Sequence, residues 1–129
     1  MAVDPTADQI AALQAIAGTD ADGPLVMLNL NTYRDRAEYE RYGRVALEVL
    51  ERVGGSVLWA ARATMTVIGE DGEGCDEVIA VRYPSAQAFL DLALAPEVLA
   101  ALPHRRAGLQ RAALIRCDDA PSSAVSHSS

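Results

Sequence analysis

The order in which strand-like and helix-like segments follow one another constrains this chain most. Four segments have the apolar or alternating pattern of strands: 25–31, 56–68, 77–83 and 112–117. A helical stripe of apolar residues separates the first from the second, and further helical residues separate the third from the fourth. The glycine-rich acidic turn 69–74 joins the second and third strands as a hairpin. The order β-α-β-β-α-β predicts an α+β, ferredoxin-like fold with a four-stranded antiparallel sheet and helices on one face.

Two helices have clear start signals. Thr6 and Gln9 form a capping box, which predicts an extra helix before the first strand. Asp35 and Glu38 form a second such pair at the start of the helix after the first strand. That helix is expected to end at Gly54, because glycine is the usual residue just beyond a helix C-terminus.

The remainder of the chain predicts a second helical region and a tail. Ser85 opens a helix, and Pro96 starts another short helical piece, which Pro103 is expected to interrupt. Residues 1–118 are therefore expected to form a single domain, whereas the serine-rich residues 119–129 are expected to be disordered.

Charge and composition exclude several classes of function. The chain has 129 residues and a net charge of -7, so nucleic acid and anionic membranes are unlikely partners. All 11 basic residues are arginine, which excludes a Schiff-base lysine and a phosphate-loop lysine. With no leader-like or membrane-spanning segment, we expect a cytoplasmic protein in which Cys75 and Cys117 are free thiols.

Strand 25–31 predicts a sheet that is apolar on both faces. Val26, Leu28 and Leu30 point to one side, and Met27 and Asn29 point to the other. The predicted helices cover only one of these sides, and the other would be left in water as an apolar patch. This pattern predicts a homodimer in which two sheets face each other.

Five short motifs resemble a known family: Met27-Leu28-Asn29-Leu30, Tyr39-Glu40-Arg41-Tyr42, Gly54-Gly55, Val81-Arg82-Tyr83-Pro84-Ser85 and Pro103-His104-Arg105-Arg106. Over roughly residues 24–117 the chain resembles the family called domain of unknown function 1330, within the dimeric α+β barrel superfamily. The resemblance implies a homodimer whose sheets form a barrel, with a cavity between each sheet and its helices. Superfamily relatives include cofactor-free oxygenases of polyketide quinones, polyketide cyclases, haem-degrading enzymes, muconolactone isomerases and chlorite dismutases.

His104 is the first candidate for catalysis, because its side chain ordinarily titrates near neutral pH and can transfer a proton. The alternative is an exposed residue at a helix end. Arg105 is a candidate for binding a carboxylate or an enolate oxygen, with a solvated helix end as its alternative. Arg62 and Arg82 lie within strands, where a charge needs a partner or a wet cavity. For Arg82 we favour an ion pair with a nearby acidic residue, Asp76 or Glu77.

Other candidates lie on the first two strands and the long helix. Asn29 is a possible oxyanion donor and Tyr42 a possible hydroxyl donor. Tyr39 lies three residues from Tyr42 on the same helix face, so both tyrosines also fit a purely core role. Met27 and Trp59 are expected to line a cavity or the space between two sheets.

Two classes of function follow. The first is a cofactor-independent enzyme, such as a cyclase, an isomerase or a monooxygenase of secondary metabolism, acting on an apolar or aromatic, polyketide-like carbonyl compound. In it His104 transfers a proton, and Asn29, Tyr42 or an arginine stabilises an enolate. The second is a non-catalytic dimer that binds a small hydrophobic metabolite. No cofactor is expected, and no metal site, because the sequence has no histidine–cysteine cluster with ligand spacing.

Overall fold

A computed structural model describes residues 2–118. This part of the chain forms one sheet and four helices. Its elements are α1 (Ala7–Gln14), β1 (Leu25–Tyr33), α2 (Arg36–Arg52), β2 (Ser56–Arg62), β3 (Glu77–Tyr83), α3 (Ala86–Ala93), α4 (Pro96–Gly108) and β4 (Leu109–Cys117). The strands form one sheet in the order β2-β3-β1-β4, and all neighbours are antiparallel. The predicted ferredoxin-like α+β fold is confirmed; the predicted tail, 119–129, lies outside the described residues.

Side-chain caps start three of the helices where the sequence predicts them. The Thr6 hydroxyl accepts a hydrogen bond from the Gln9 amide, and the Gln9 side chain accepts one from the Thr6 amide. Asp35 accepts from the amide of Glu38, and Ser85 starts α3 in the same way. These bonds satisfy amides that have no partner within the first helical turn.

Strand β1 extends beyond its predicted end to Tyr33, and β4 begins before its predicted start, at Leu109. Two other boundaries differ more. Strand β2 ends at Arg62, not at residue 68, because its only partner is β3, and the ladder runs out where Arg62 pairs with Glu77. The connection 63–76 therefore leaves several apolar side chains exposed. Helix α4 is not interrupted at Pro103 but continues to Gly108. Proline removes only one helical hydrogen bond, and packing against α2 holds the helix on both sides of it.

The core lies between one face of the sheet and the helices. Leu25 and Met27 on β1 are buried and pair with Tyr83 and Val81 on β3. Buried side chains from all three of the later helices pack against this face: Val49, Leu50, Ala86, Ala88, Leu92 and Val98. This face carries the odd-numbered residues of β1, so it also carries Asn29, Asn31 and Tyr33.

The opposite face of the sheet is largely apolar, and no helix within the described part of the chain lies over it. Leu28 pairs with Ala80 and Ile115, and Ala80 also pairs with Trp59. Trp59 is 51% exposed and Ile115 is exposed as well. The predicted second apolar face is therefore present on the chain.

No single helix within residues 2–118 is long and apolar enough to cross a membrane. Helices α3 and α4 reach that length and apolar composition only when they are counted together, and a bend of 74° separates them.

Candidate functional site

A cavity of about 1270 Å³ lies between the helix-facing side of the sheet and the helices. The N-terminal residues and α1 form part of its wall. Its apolar lining comes from every layer of the fold: Ile10, Leu13, Met27, Ile79, Val81, Phe89, Leu92 and Leu102. A space of this size, with apolar walls and a few polar groups, is typical of a small-molecule site.

A row of three tyrosines crosses one wall of this cavity. The ring centroids of Tyr33 and Tyr39 are 5.1 Å apart, and those of Tyr39 and Tyr42 are 5.7 Å apart. Each end of the row has a cation over a ring: Arg36 is 5.2 Å from the Tyr33 centroid, and Arg105 is 5.9 Å from that of Tyr42. Neighbouring rings are tilted by 54° and 48°, so the row offers ring faces and ring edges to a ligand and is not one flat surface.

The tyrosine hydroxyls of this row stay protonated at neutral pH. Burial raises the pKa of Tyr39 and Tyr42, and the positive charge of Arg105 only partly opposes this. For Tyr33 burial is again the main cause of a raised pKa, and its hydrogen bond to Glu77 adds to it. A neutral phenol is a hydrogen-bond donor, so Tyr39 and Tyr42 can donate to an oxygen in the cavity.

Glu77 provides a carboxylate at the Tyr33 end of the row. The Tyr33 hydroxyl donates to Glu77 Oε1 at 2.5 Å, and Arg36 Nη2 lies 3.4 Å from both carboxylate oxygens. The side chain of Glu77 is only 16% exposed. Asn31, 2% exposed, donates to the Tyr33 hydroxyl at 3.4 Å. Tyr33, Arg36 and Glu77 all line the cavity.

Arg105 lies at the opposite end of the row and links α4 to the N-terminal segment. Its Nη1 donates to the carbonyl of Val3 at 2.6 Å and lies 3.5 Å from Asp4 Oδ1. The Arg105 side chain is 18% exposed, whereas Asp4 is about half exposed. The charge of Arg105 is therefore partly desolvated and only partly balanced, which suits an anion inside the cavity.

Asn29 lines the cavity, but its side-chain amide nitrogen already donates hydrogen bonds within the protein. Nδ2 donates to the backbone carbonyls of Met27 and Ile79, at 3.3 and 3.2 Å. An amide nitrogen has two hydrogens, so the atom left for a ligand is the acceptor Oδ1. The oxyanion-donor role proposed from the sequence does not fit this arrangement, whereas accepting a hydroxyl does.

His104 lies outside the cavity. Its Nδ1 is 2.6 Å from Glu38 Oε2, and its side chain is 42% exposed. The pair joins the last part of α4 to the first turn of α2. The exposed alternative for His104 therefore matches its position, and a role in proton transfer within the cavity does not.

Three further candidates also lie outside the cavity lining. Trp59 and Arg82 are on the uncovered face of the sheet, and Arg62 is exposed at the end of β2. The expected ion pair of Arg82 with Asp76 or Glu77 is wrong, because Arg82 pairs with Val26 and lies at the far end of β3. The structure thus brings together Met27, Asn29, Tyr39, Tyr42 and Arg105, and separates them from the rest.

Tyr33 and Glu77 are missing from the candidates proposed from the sequence. Their signal was present, because Tyr33 has the same parity as Asn29 and Asn31 on a strand. Glu77 opens the next strand of the sheet with a charge that needs a partner. Within residues 2–118 no group of three or more histidine, cysteine or acidic side chains is placed to hold a metal ion.

The fold and this cavity define an α+β protein of the ferredoxin-like class. A model of the family described as "Domain of unknown function (DUF1330)" matches residues 25–116, so the chain belongs to that family. A protein of unknown function from Rhodopseudomonas palustris is 32% identical, with a TM-score of 0.84 over 94% of this chain and 98% of that one. The resemblance noted from the sequence motifs is confirmed.

Two other solved structures share the fold at low sequence identity. SnoaB, a cofactor-independent oxygenase from Streptomyces nogalater, is 16% identical, with a TM-score of 0.54 over 78% of this chain and 97% of that one. A dabb family protein with a ferredoxin-like fold from Mesorhizobium loti is 13% identical, with a TM-score of 0.54 over 77% of this chain and 99% of that one. No curated protein matches the sequence.

Proposed function

We propose that this protein is a cofactor-independent enzyme that binds a flat, apolar carbonyl compound in the cavity and stabilises its enolate. The observation that carries the proposal is the row of tyrosines ending at Arg105 inside a largely apolar space. An aromatic ligand would pack on this row, as aromatic rings pack on one another in protein cores. Isomerisation, cyclisation and oxygenation of a polyketide-like compound all begin from such an enolate.

Arg105 and the protonated tyrosines supply the electrostatic part of the mechanism. Donors that are fixed before the reaction stabilise a developing negative charge most strongly where water is excluded. The guanidinium of Arg105 is held by the Val3 carbonyl and by Asp4, and Tyr39 and Tyr42 line the same cavity. The oxygenase activity of SnoaB is a property of a protein with the same fold, and it supports this class of chemistry by analogy alone.

A second candidate function is binding without catalysis. Met27, Phe89 and the other apolar lining residues would hold a hydrophobic metabolite whether or not a reaction follows. Turnover of an enolisable probe separates the two candidates.

We also propose that the uncovered face of the sheet pairs with a second copy of this chain. Leu28, Trp59 and Ile115 lie on this face, which is apolar enough to be unfavourable in water. In a two-fold dimer the same patch serves both copies, so a single apolar face is sufficient.

The binding proposal is tested with lawsone, a hydroxynaphthoquinone that is an enolate-type anion at neutral pH. We expect saturable binding by calorimetry, weakened about 10- to 100-fold by Arg105→Ala, the range for losing a hydrogen bond to a charged group. Naphthalene, which has no oxygen, should bind both proteins equally. Arg41→Ala is the matched control, because Arg41 is exposed on α2 and lies outside the cavity lining.

Two results would contradict the proposal. Absence of binding of both ligands would reject the cavity as a site for flat aromatic compounds. Equal affinity of lawsone for the native protein and for Arg105→Ala would place the anion elsewhere and remove the role of Arg105.

A further inference from the structure

We infer that Glu77 is the general base of this site, removing a proton from the carbon next to the substrate carbonyl while Tyr33 holds the carboxylate in place. The inference rests on the proposed function and adds to it the group that accepts the proton. Neither Glu77 nor Tyr33 belongs to the sequence motifs described above, and His104 lies outside the cavity.

Glu77 and Tyr33 lie next to each other at one edge of the sheet. Glu77 is the first residue of β3 and Tyr33 the last of β1, and both side chains line the cavity at the same edge of the sheet. The carboxylate is largely buried, and its two partners are the Tyr33 hydroxyl at 2.5 Å and Arg36 at 3.4 Å. A carboxylate held in one position beside a bound ligand can accept a proton from it.

Tyr33 fixes the carboxylate of Glu77. Burial and the hydrogen bond to the neighbouring carboxylate raise the pKa of Tyr33, so the phenol keeps its proton and donates a hydrogen bond to Glu77 Oε1. Tyr33 therefore acts as a donor that positions Glu77, and the carboxylate is the group able to accept a proton. Asn31 in turn donates to the Tyr33 hydroxyl, which fixes the orientation of the phenol.

Glu77 bonds Tyr33 at one end of the tyrosine row, and Arg105 contacts the ring of Tyr42 at the other end. The ring of Tyr39 lies between those of Tyr33 and Tyr42. A ring lying on the row from Tyr33 to Tyr42 would have a carboxylate at one end and a guanidinium at the other. The base, Glu77, and the cation that stabilises the enolate, Arg105, would therefore face opposite ends of the ligand.

The step conserves atoms and electrons without a further reagent. The C–H bond next to the carbonyl breaks, its proton passes to a carboxylate oxygen of Glu77, and the electron pair moves onto the carbonyl oxygen as an enolate. Return of the proton to the same or another carbon of the ligand regenerates the base and gives exchange or isomerisation.

The experiment uses β-tetralone, a bicyclic ketone with an acidic methylene group between its aromatic ring and its carbonyl, incubated with the full-length protein in D2O. Nuclear magnetic resonance measures the loss of the methylene proton signal, and calorimetry measures the dissociation constant. We expect exchange well above the buffer rate, and a rate lowered about 100-fold or more in Glu77→Gln, as for loss of a general base. The affinity should be unchanged, because glutamine keeps the size of the side chain and an acceptor for Tyr33.

Two further variants complete the design. Glu77→Asp keeps a carboxylate, so it should retain part of the exchange that Glu77→Gln loses, which a purely structural role would not explain. Glu48→Gln is the matched control, because Glu48 is an exposed carboxylate on α2 outside the cavity lining, and its exchange rate should equal that of the native protein.

Each outcome decides a different point. Full exchange in a folded Glu77→Gln protein that binds β-tetralone would overturn the role of Glu77 and leave the proposed function standing. Binding without exchange by the native protein would overturn both the base and the enolate chemistry, leaving the non-catalytic function. Failure to bind β-tetralone would reject the substrate class, and this inference with it.

Discussion

The imidazole Nδ1 of His104 lies 2.6 Å from Oε2 of Glu38, on the outer surface where α4 crosses the start of α2. Neither residue belongs to the cavity lining. The only histidine within residues 2–118 therefore links two helices and is separate from the tyrosine row. A mechanism for this cavity has to draw its proton-transfer group from the residues that line it.

Replacing His104 by alanine should leave the exchange of β-tetralone unchanged. The expected loss of stability is below about 1 kcal/mol, because ion pairs and hydrogen bonds between partly exposed side chains contribute little. Urea unfolding followed by circular dichroism measures the stability, and nuclear magnetic resonance measures the exchange. A folded His104→Ala protein that no longer exchanges the probe would return His104 to the mechanism.

Burial of the four tyrosines should make the folded protein less stable in alkali. Burial raises the pKa of Tyr33, Tyr39, Tyr42 and Tyr83 above the value of 10.0 for a solvated phenol. The unfolded chain therefore releases these protons at a lower pH than the folded one. The stabilising effect is complete below the unfolded-state pKa and is lost progressively as the pH rises through the folded-state values.

We expect this effect in two measurements. The urea midpoint should fall steadily above the unfolded-state pKa of 10.0. Tyrosinate absorbance should then rise together with the loss of near-ultraviolet circular dichroism, in one transition. The protein in concentrated urea is the control, and its tyrosines should titrate near the ordinary value. Independent titration of several tyrosines in the folded protein near that ordinary value would contradict the buried row.

The fold was predictable because its signals are local and agree with one another. The caps at Thr6, Asp35 and Ser85 and the acidic hairpin turn each depend on a few neighbouring residues. The prediction was wrong at the end of β2, because the length of that strand depends on where its partner begins, at Glu77. The local apolar pattern extends well beyond Arg62, whereas the backbone pairing with the partner segment ends after one more hydrogen bond, from the Ala63 amide to the Asp76 carbonyl.

The site was predictable only in part, for a physical reason. Parity on β1 grouped Met27 with Asn29 on one face, and spacing grouped Tyr39 with Tyr42, but neither pattern indicated that these groups face the same cavity. The pairing of Tyr33 with Glu77 joins residues 44 positions apart, which no sequence spacing reveals. His104 was proposed as a catalytic residue because its side chain can transfer a proton. That property does not determine on which side of α4 the residue lies.

Trp59 reports on the proposed pairing of two sheets. It is the only tryptophan of the chain and is half exposed on the uncovered face. A charge at its position would be buried without a partner in a dimer, which is strongly unfavourable. We therefore expect Trp59→Glu to sediment as a monomer at concentrations where the native protein sediments as a dimer. Dilution of the native protein should shift the tryptophan emission to longer wavelength.

The matched control for this prediction is Leu99→Glu. Leu99 is similarly exposed, but it lies on α4, on the other side of the molecule from the uncovered face. This variant should sediment as the native protein does. A native protein that is a monomer at micromolar concentration would reject the pairing, and so would loss of the dimer in both variants.

Gly108 and Gly43 should respond to alanine in opposite directions. A Cβ at Gly108 would lie 2.5 Å from the backbone nitrogen of Tyr39 and 2.7 Å from its Cβ, so α2 or α4 must move. The carbonyl of Gly108 also accepts hydrogen bonds from the amides of Arg34 and Asp35, which ties the end of α4 to the start of α2. We expect Gly108→Ala to lower the free energy of unfolding by about 1 to 3 kcal/mol, the usual range for overpacking.

Gly43 lies inside α2, and a Cβ there would meet no other atom within 4 Å. Alanine should therefore raise the free energy of unfolding by up to about 1 kcal/mol, the difference between the two residues in a helix. Urea unfolding of both variants measures these two changes in the free energy of unfolding. Because Gly108 touches Tyr39, replacing Gly108 should also weaken lawsone binding. A stable Gly108→Ala protein with full affinity for lawsone would show that this contact does not position the tyrosine row.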